Sequence, residues 1–105
     1  MERTKSKALK FIESSLGEPI GIATLLKAHR TRLGYTQPQI AKILNTSKSE
    51  ISDIENRRKM ISLERAVAFA QKLGESTAVW AEIAIQDQLN KLDLNLTVEV
   101  KTKSA

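Results

Sequence analysis

The chain has 105 residues, 41% of them hydrophobic and 28% charged, with a formal net charge of +5 and no cysteine. This length suits one compact domain with no room for a second, catalytic one, and the composition is that of a globular chain rather than a disordered one. The lack of thiols excludes disulfides, thiolate metal sites and a cysteine nucleophile, and it fits a cytoplasmic setting.

Charge is unevenly spread. Residues 1–60 hold twelve Lys and Arg against six Asp and Glu, whereas residues 61–105 hold five against six. The N-terminal half is suited to meeting a polyanion and the near-neutral C-terminal half to something else. Met1 to Lys10 is basic, but Phe11, Ile12 and Glu13 follow instead of the apolar run of a signal peptide, and no segment has the length and apolarity of a membrane span.

Ala8, Leu9, Phe11 and Ile12 recur at near-helical spacing and predict a short helix over residues 4–15, until Gly17 and Pro19 stop the segment. Ile22, Leu25, Leu26, His29 and Leu33 predict a helix over 21–33 that ends at Gly34. Thr36-Gln37-Pro38-Gln39 reads as a capping box that opens a short helix carrying Ile40, Ala41 and Leu44. After Asn45 and Thr46, Ser47-Lys48-Ser49-Glu50 reads as a second box, opening a helix with Ile51 and Ile54 on its inner side. Ser62 caps a helix bearing Leu63, Ala66, Val67, Ala70 and Leu73, which Gly74 closes. Ser76 caps a longer one, over about 77–91, whose apolar face comprises Val79, Trp80, Ile83, Ala84 and Leu89. Residues 94–101 alternate apolar and polar, the pattern of a half-buried β-strand. With no second strand in the sequence to pair with, its partner is expected to be another copy or another protein.

Two short capped helices joined by a tight turn satisfy the demands of a DNA-binding helix-turn-helix: a small residue at the crossing, an apolar inner seam and a polar outer face on the second helix. Here Ala41 is the small residue, Ile40, Leu44, Ile51 and Ile54 are the seam, and Lys48, Ser49, Ser52 and Asp53 face outward.

Gln37, Ala41, Leu44, Ser47, Ile51, Ser52 and Glu55 resemble the residues carried by the Cro and phage-repressor class, and by the wider xenobiotic-response-element family of helix-turn-helix proteins, over about residues 21–74. The resemblance implies a mainly α, lambda-repressor-like bundle to which this chain adds a C-terminal helix and one β-strand for dimerisation. The corresponding division is an N-terminal arm (1–20), a DNA-binding domain (21–74) and a dimerisation or partner-binding segment (75–105). It further implies that Gln37 braces a phosphate, that Lys48, Ser49 and Asp53 stand at base-reading positions, and that Arg30 and Glu55 tie the first helix to the end of the third. Two departures are Arg57, where the family has a left-handed Gly, and Ile61, where it has Pro. A non-glycine left-handed residue costs roughly 1 kcal/mol if the backbone is unchanged.

The expected DNA-contacting set is Gln37, Lys48, Ser49, Ser52, Asp53, Asn56, Arg57, Arg58 and Lys59, the last three being consecutive cations suited to phosphate. Asp53 can accept from cytosine N4, while Glu50 serves as a cap. His29 is expected to be a core residue and Trp80 a core or dimer anchor. No nucleophile elbow, phosphate loop or metal motif is present, so neither an enzyme nor a cofactor is expected. The partners expected are duplex DNA and a second copy, in a homodimeric repressor on a palindromic operator. The alternative is an antitoxin whose C-terminal segment captures a protein toxin while the head represses its own operon. A helix-turn-helix used as an adaptor or nonspecific binder is the third reading.

Overall fold

The computed structural model describes residues 20–101 and 103, and the helix expected over residues 4–15 lies outside them. Five helices form among the described residues: α1 (Ile22–Arg32), α2 (Gln37–Ile43), α3 (Lys48–Glu55), α4 (Leu63–Leu73) and α5 (Thr77–Lys91). Side-chain caps fix most of their starts. Thr36 Oγ1 accepts from the Gln39 N–H at 3.2 Å and Gln39 Oε1 accepts from the Thr36 N–H at 2.8 Å, a complete capping box. Ser62 and Ser76 each accept from the N–H three residues on, at 3.1 and 3.2 Å.

The second expected box is only half made. Ser47 Oγ accepts from the Glu50 N–H at 3.1 Å, but the Glu50 carboxylate turns to Thr46, Lys59 and Arg65 instead of returning to Ser47. Two cations outcompete a neutral N–H for the same carboxylate.

The first turn of α1 is capped from elsewhere in the chain. Its N-cap is Gly21, and Asp87 of α5 accepts from the Ile22 N–H at 2.9 Å. A Cβ on residue 21 would stand 2.6 Å from Asp87 Oδ1, so close approach, at an ordinary extended φ of −126°, calls for glycine here. Burial pushes the Asp87 carboxyl above its ordinary range, opposed by the Ile22 N–H and the charge of Arg57.

All five helices end on a left-handed residue: Gly34, Asn45, Arg57, Gly74 and Asp93. At Arg57 (φ 60°) the chain closes a Schellman motif, with the Arg57 N–H on the Ile54 carbonyl at 3.1 Å and the Arg58 N–H on that of Asp53 at 2.8 Å. Arginine therefore adopts the left-handed backbone that the resemblance implies for a glycine at this position.

Leu26, Ile40, Ile51 and Ile54 are fully buried and form the centre of the core, with the small Ala41 of α2 buried in the same cluster. Phe69 and Ala70 of α4 and Trp80, Ile83 and Ala84 of α5 complete the same cluster, and Ile61 packs into it from the loop. Burying each large aliphatic chain contributes about 1.5–3 kcal/mol. His29 is buried as expected, its Nδ1 meeting the Glu75 carboxylate.

The C-terminal end departs from the sequence pattern. Val79, expected on the inner face of α5, is exposed, and Gln86 is buried in its stead. No strand forms among the described residues. Residues 94–100 instead run beside α5, where Gln86 Nε2 donates to the Leu96 carbonyl at 2.8 Å and its Oε1 accepts from the Val98 N–H at 3.0 Å. The Val100 N–H reaches Glu82 Oε1 at 3.1 Å. With no second strand in one copy, polar side chains of the helix satisfy every other backbone position, and these bonds draw Gln86 inward.

Candidate nucleic-acid interface

The outer side of α3 is held at a fixed angle by one ion pair. Arg30 Nε and Nη2 donate to Glu55 Oε2 and Oε1 at 2.7 and 2.9 Å, and Arg30 Nη1 donates to the Tyr35 carbonyl at 3.0 Å. The two side chains are 15% and 3% exposed, which makes this a largely dry, bidentate pair. The hydrogen bond to Glu55 raises the Arg30 pKa against the opposing effect of burial, with the Glu55 charge adding to the rise. The pairing implied by the resemblance is thus present, and it ties α1 to the last turn of α3.

Lys48, Ser49, Ser52, Asp53 and Asn56 follow helical spacing along the outer side of α3, so they share one strip. Lys48 and Ser49 are exposed, and Ser52 and Asp53 are half-buried. Asn56 Nδ2 donates to the Ser52 carbonyl at 2.8 Å, and Arg58 Nε donates to Asp53 Oδ1 at 3.0 Å. These six residues therefore form one patch. Gln37 stands at the start of α2 and donates to Glu55 at 3.1 Å, so its amide is oriented by the same carboxylate that anchors α3.

The other two loop cations are directed elsewhere. Arg57 reaches α1, where its Nη2 donates to Thr24 Oγ1 at 2.9 Å. Lys59 Nζ donates to Glu50, which Arg65 also engages while its guanidinium lies 5.1 Å from the centre of the Phe69 ring. Consecutive positions on a turning backbone point in different directions, which is why the three adjacent cations find partners on different elements.

Glu50 is the residue whose role the sequence understated. Arg65, Lys59 and Thr46, in that order, pull its carboxyl down from 4.5 to about 2 against the effect of burial. A depressed native pKa means that its stabilisation is fully present above the unfolded pKa and is lost as pH falls from about 4.5 towards about 2. Because Lys59 and Arg65 are partly solvated, this loss should amount to about 1–2 kcal/mol, less than the full shift implies. In urea titrations over that pH range, Glu50→Gln should start less stable and lose less than the unmodified chain. Parallel stability curves for the two would contradict this.

Among the described residues no group of three His, Asp or Glu side chains is placed to hold a metal ion, and no helix is long and apolar enough to cross a membrane.

Short capped α2 and α3, packed through a seam that includes Ala41 within a bundle of helices, define a helix-turn-helix domain. The helix-turn-helix family pattern matches residues 26–80, more than half of the chain, and the protein belongs to this family, in its Cro/C1-type branch. The crystal structure of a hypothetical transcription factor, NHTF, from Neisseria is similar with a TM-score of 0.53 at 21% identity, covering 67% of this chain and 79% of that one. At that identity the likeness bears on the fold alone. No curated protein matches the chain.

Proposed function

We propose that the protein is a sequence-specific DNA-binding transcriptional regulator, acting as a homodimeric repressor on a two-fold symmetric operator. The observation that carries this reading is the outer strip of α3, where a lysine, two serines, an aspartate and an asparagine stand on a helix braced from behind by the Arg30–Glu55 pair. Such a strip offers donors and acceptors to base edges in the major groove. In this reading Lys48, Ser49, Ser52 and Asp53 meet bases. Gln37 and Asn56, with the cations of the loop, border the phosphates; Arg57 and Lys59 would reach them by leaving Thr24 and Glu50.

The dimer reading rests on the C-terminal segment. Leu92, Leu94 and Leu96 are 65%, 45% and 54% exposed, an apolar surface in want of cover. Pairing of residues 94–101 with their counterpart across a two-fold axis would cover it, the partner strand lying on the edge away from α5. The same surface supports the antitoxin reading, in which a protein toxin is the cover.

The test is selection of duplexes from a random pool by the full chain, followed by titration of the recovered sequence against a scrambled one. A consensus with two-fold symmetry is expected. An unenriched pool, with affinity set by salt alone, would instead indicate a nonspecific binder.

A further inference from the structure

Arg58 follows α3 rather than belonging to it, and as one of three loop cations it reads naturally as a phosphate holder. Its surroundings suit a different task. The Schellman closure at Arg57 brings the backbone of Arg58 onto the Asp53 carbonyl at 2.8 Å. The side chain then folds back over the outer strip, where Nε donates to Asp53 Oδ1 at 3.0 Å and Nη2 lies 3.4 Å from Ser52 Oγ.

A guanidinium has five N–H groups in one plane. Nε and the adjoining hydrogen of Nη2 form its side edge, and here that edge is docked on α3. The remaining edge, one hydrogen from each of Nη1 and Nη2, has no partner among the described residues. That parallel fork matches the O6 and N7 acceptors of guanine. The pair remains accessible, Arg58 being 59% and Asp53 44% exposed.

We propose that Arg58 is a base-reading residue that recognises a guanine in the major groove, and that Asp53 is its positioning residue, holding the side edge so that the end fork faces outward. This rests on the DNA-binding reading above and refines it. Asp53 acts through Arg58 rather than by accepting from cytosine itself, and an otherwise repulsive carboxylate can enter the groove because a guanidinium covers it. Holding the fork in place also lowers the entropy lost on contact.

The experiment compares the unmodified chain with Arg58→Lys, Arg58→Ala, Asp53→Ala and the double variant Asp53→Ala with Arg58→Ala by duplex selection, then by titration at several salt concentrations. Lysine keeps the charge but not the fork. Arg58→Lys should therefore keep its affinity for scrambled DNA and its salt dependence while losing a guanine preference of roughly 5- to 100-fold at one position in each half-site. Asp53→Ala should weaken the preference at that same position, and should add nothing to it once Arg58 is alanine. If Arg58→Lys keeps the full preference, or Arg58→Ala weakens all sequences equally and flattens the salt slope by about one counterion, Arg58 holds a phosphate and the inference is overturned while the DNA-binding reading stands. If the unmodified chain itself enriches no sequence, both fall.

Discussion

Replacing Glu55 by alanine should destabilise the protein by about 3–5 kcal/mol, the cost of leaving a mostly buried guanidinium without its partner. Arg30 is 15% exposed and Glu55 3%, so water cannot readily take the place of the missing carboxylate. The loss should also reach Gln37, which donates to the same carboxylate. In thermal unfolding the midpoint should fall by more than about 10 °C, given roughly 4–8 °C per kcal/mol for a domain of this size. The double variant Arg30→Met with Glu55→Leu should lose much less than the sum of the single changes, since an apolar pair can fill the space that one orphaned charge cannot. A coupling energy below about 1 kcal/mol would instead make this an ordinary surface bridge.

Truncation after Asp93 should leave the helical head folded and abolish the proposed dimerisation. The residues removed carry the exposed Leu94 and Leu96 and the backbone groups that Gln86 and Glu82 engage. None of the core cluster is removed, the last of it being Ala84. Gln86 would gain solvent and hence alternative hydrogen bonds, so circular dichroism should keep its helical signal. Operator affinity should fall by roughly 100- to 10,000-fold, because two linked half-site contacts become separate events. Sedimentation and titration of the same samples decide the matter. A truncated chain that is still dimeric, with unchanged operator affinity, would remove the segment from the dimer and favour toxin capture as its role.

Much of this was legible in the sequence because local chemistry and global fold agree. The capping residues Thr36, Ser47, Ser62 and Ser76 stand at helix starts, Gly34 and Gly74 at helix ends, and the seam of Ile40, Ala41, Leu44, Ile51 and Ile54 is buried. What was not legible depends on partners distant in sequence. Asp87 caps α1 across 65 residues, and Glu50 is claimed by Arg65 and Lys59 instead of completing its box. Periodicity reports which residues share a face, not which carboxylate a cation finds. The loop 57–59 shows the same limit: the sequence offers three consecutive cations, and only the structure shows that they bond to Thr24, Asp53 and Glu50 in three directions. At the C-terminal end, alternation predicted a strand, and in one copy α5 supplies the backbone partners instead. Gln86 could be recognised as inward-facing only once that segment was placed beside it.

The central claim is that the outer strip of α3 reads base edges. Its most direct test is the ratio of affinities for the selected duplex and a scrambled duplex of equal length, measured at one salt concentration before and after Lys48→Ala and Ser49→Ala are introduced together. Both side chains are exposed and neither bonds within the described residues, so the fold should be unaffected. The account predicts that the ratio falls by roughly tenfold or more, while affinity for the scrambled duplex changes only by the loss of one cation. An unchanged ratio would contradict it and place recognition on another face of the protein.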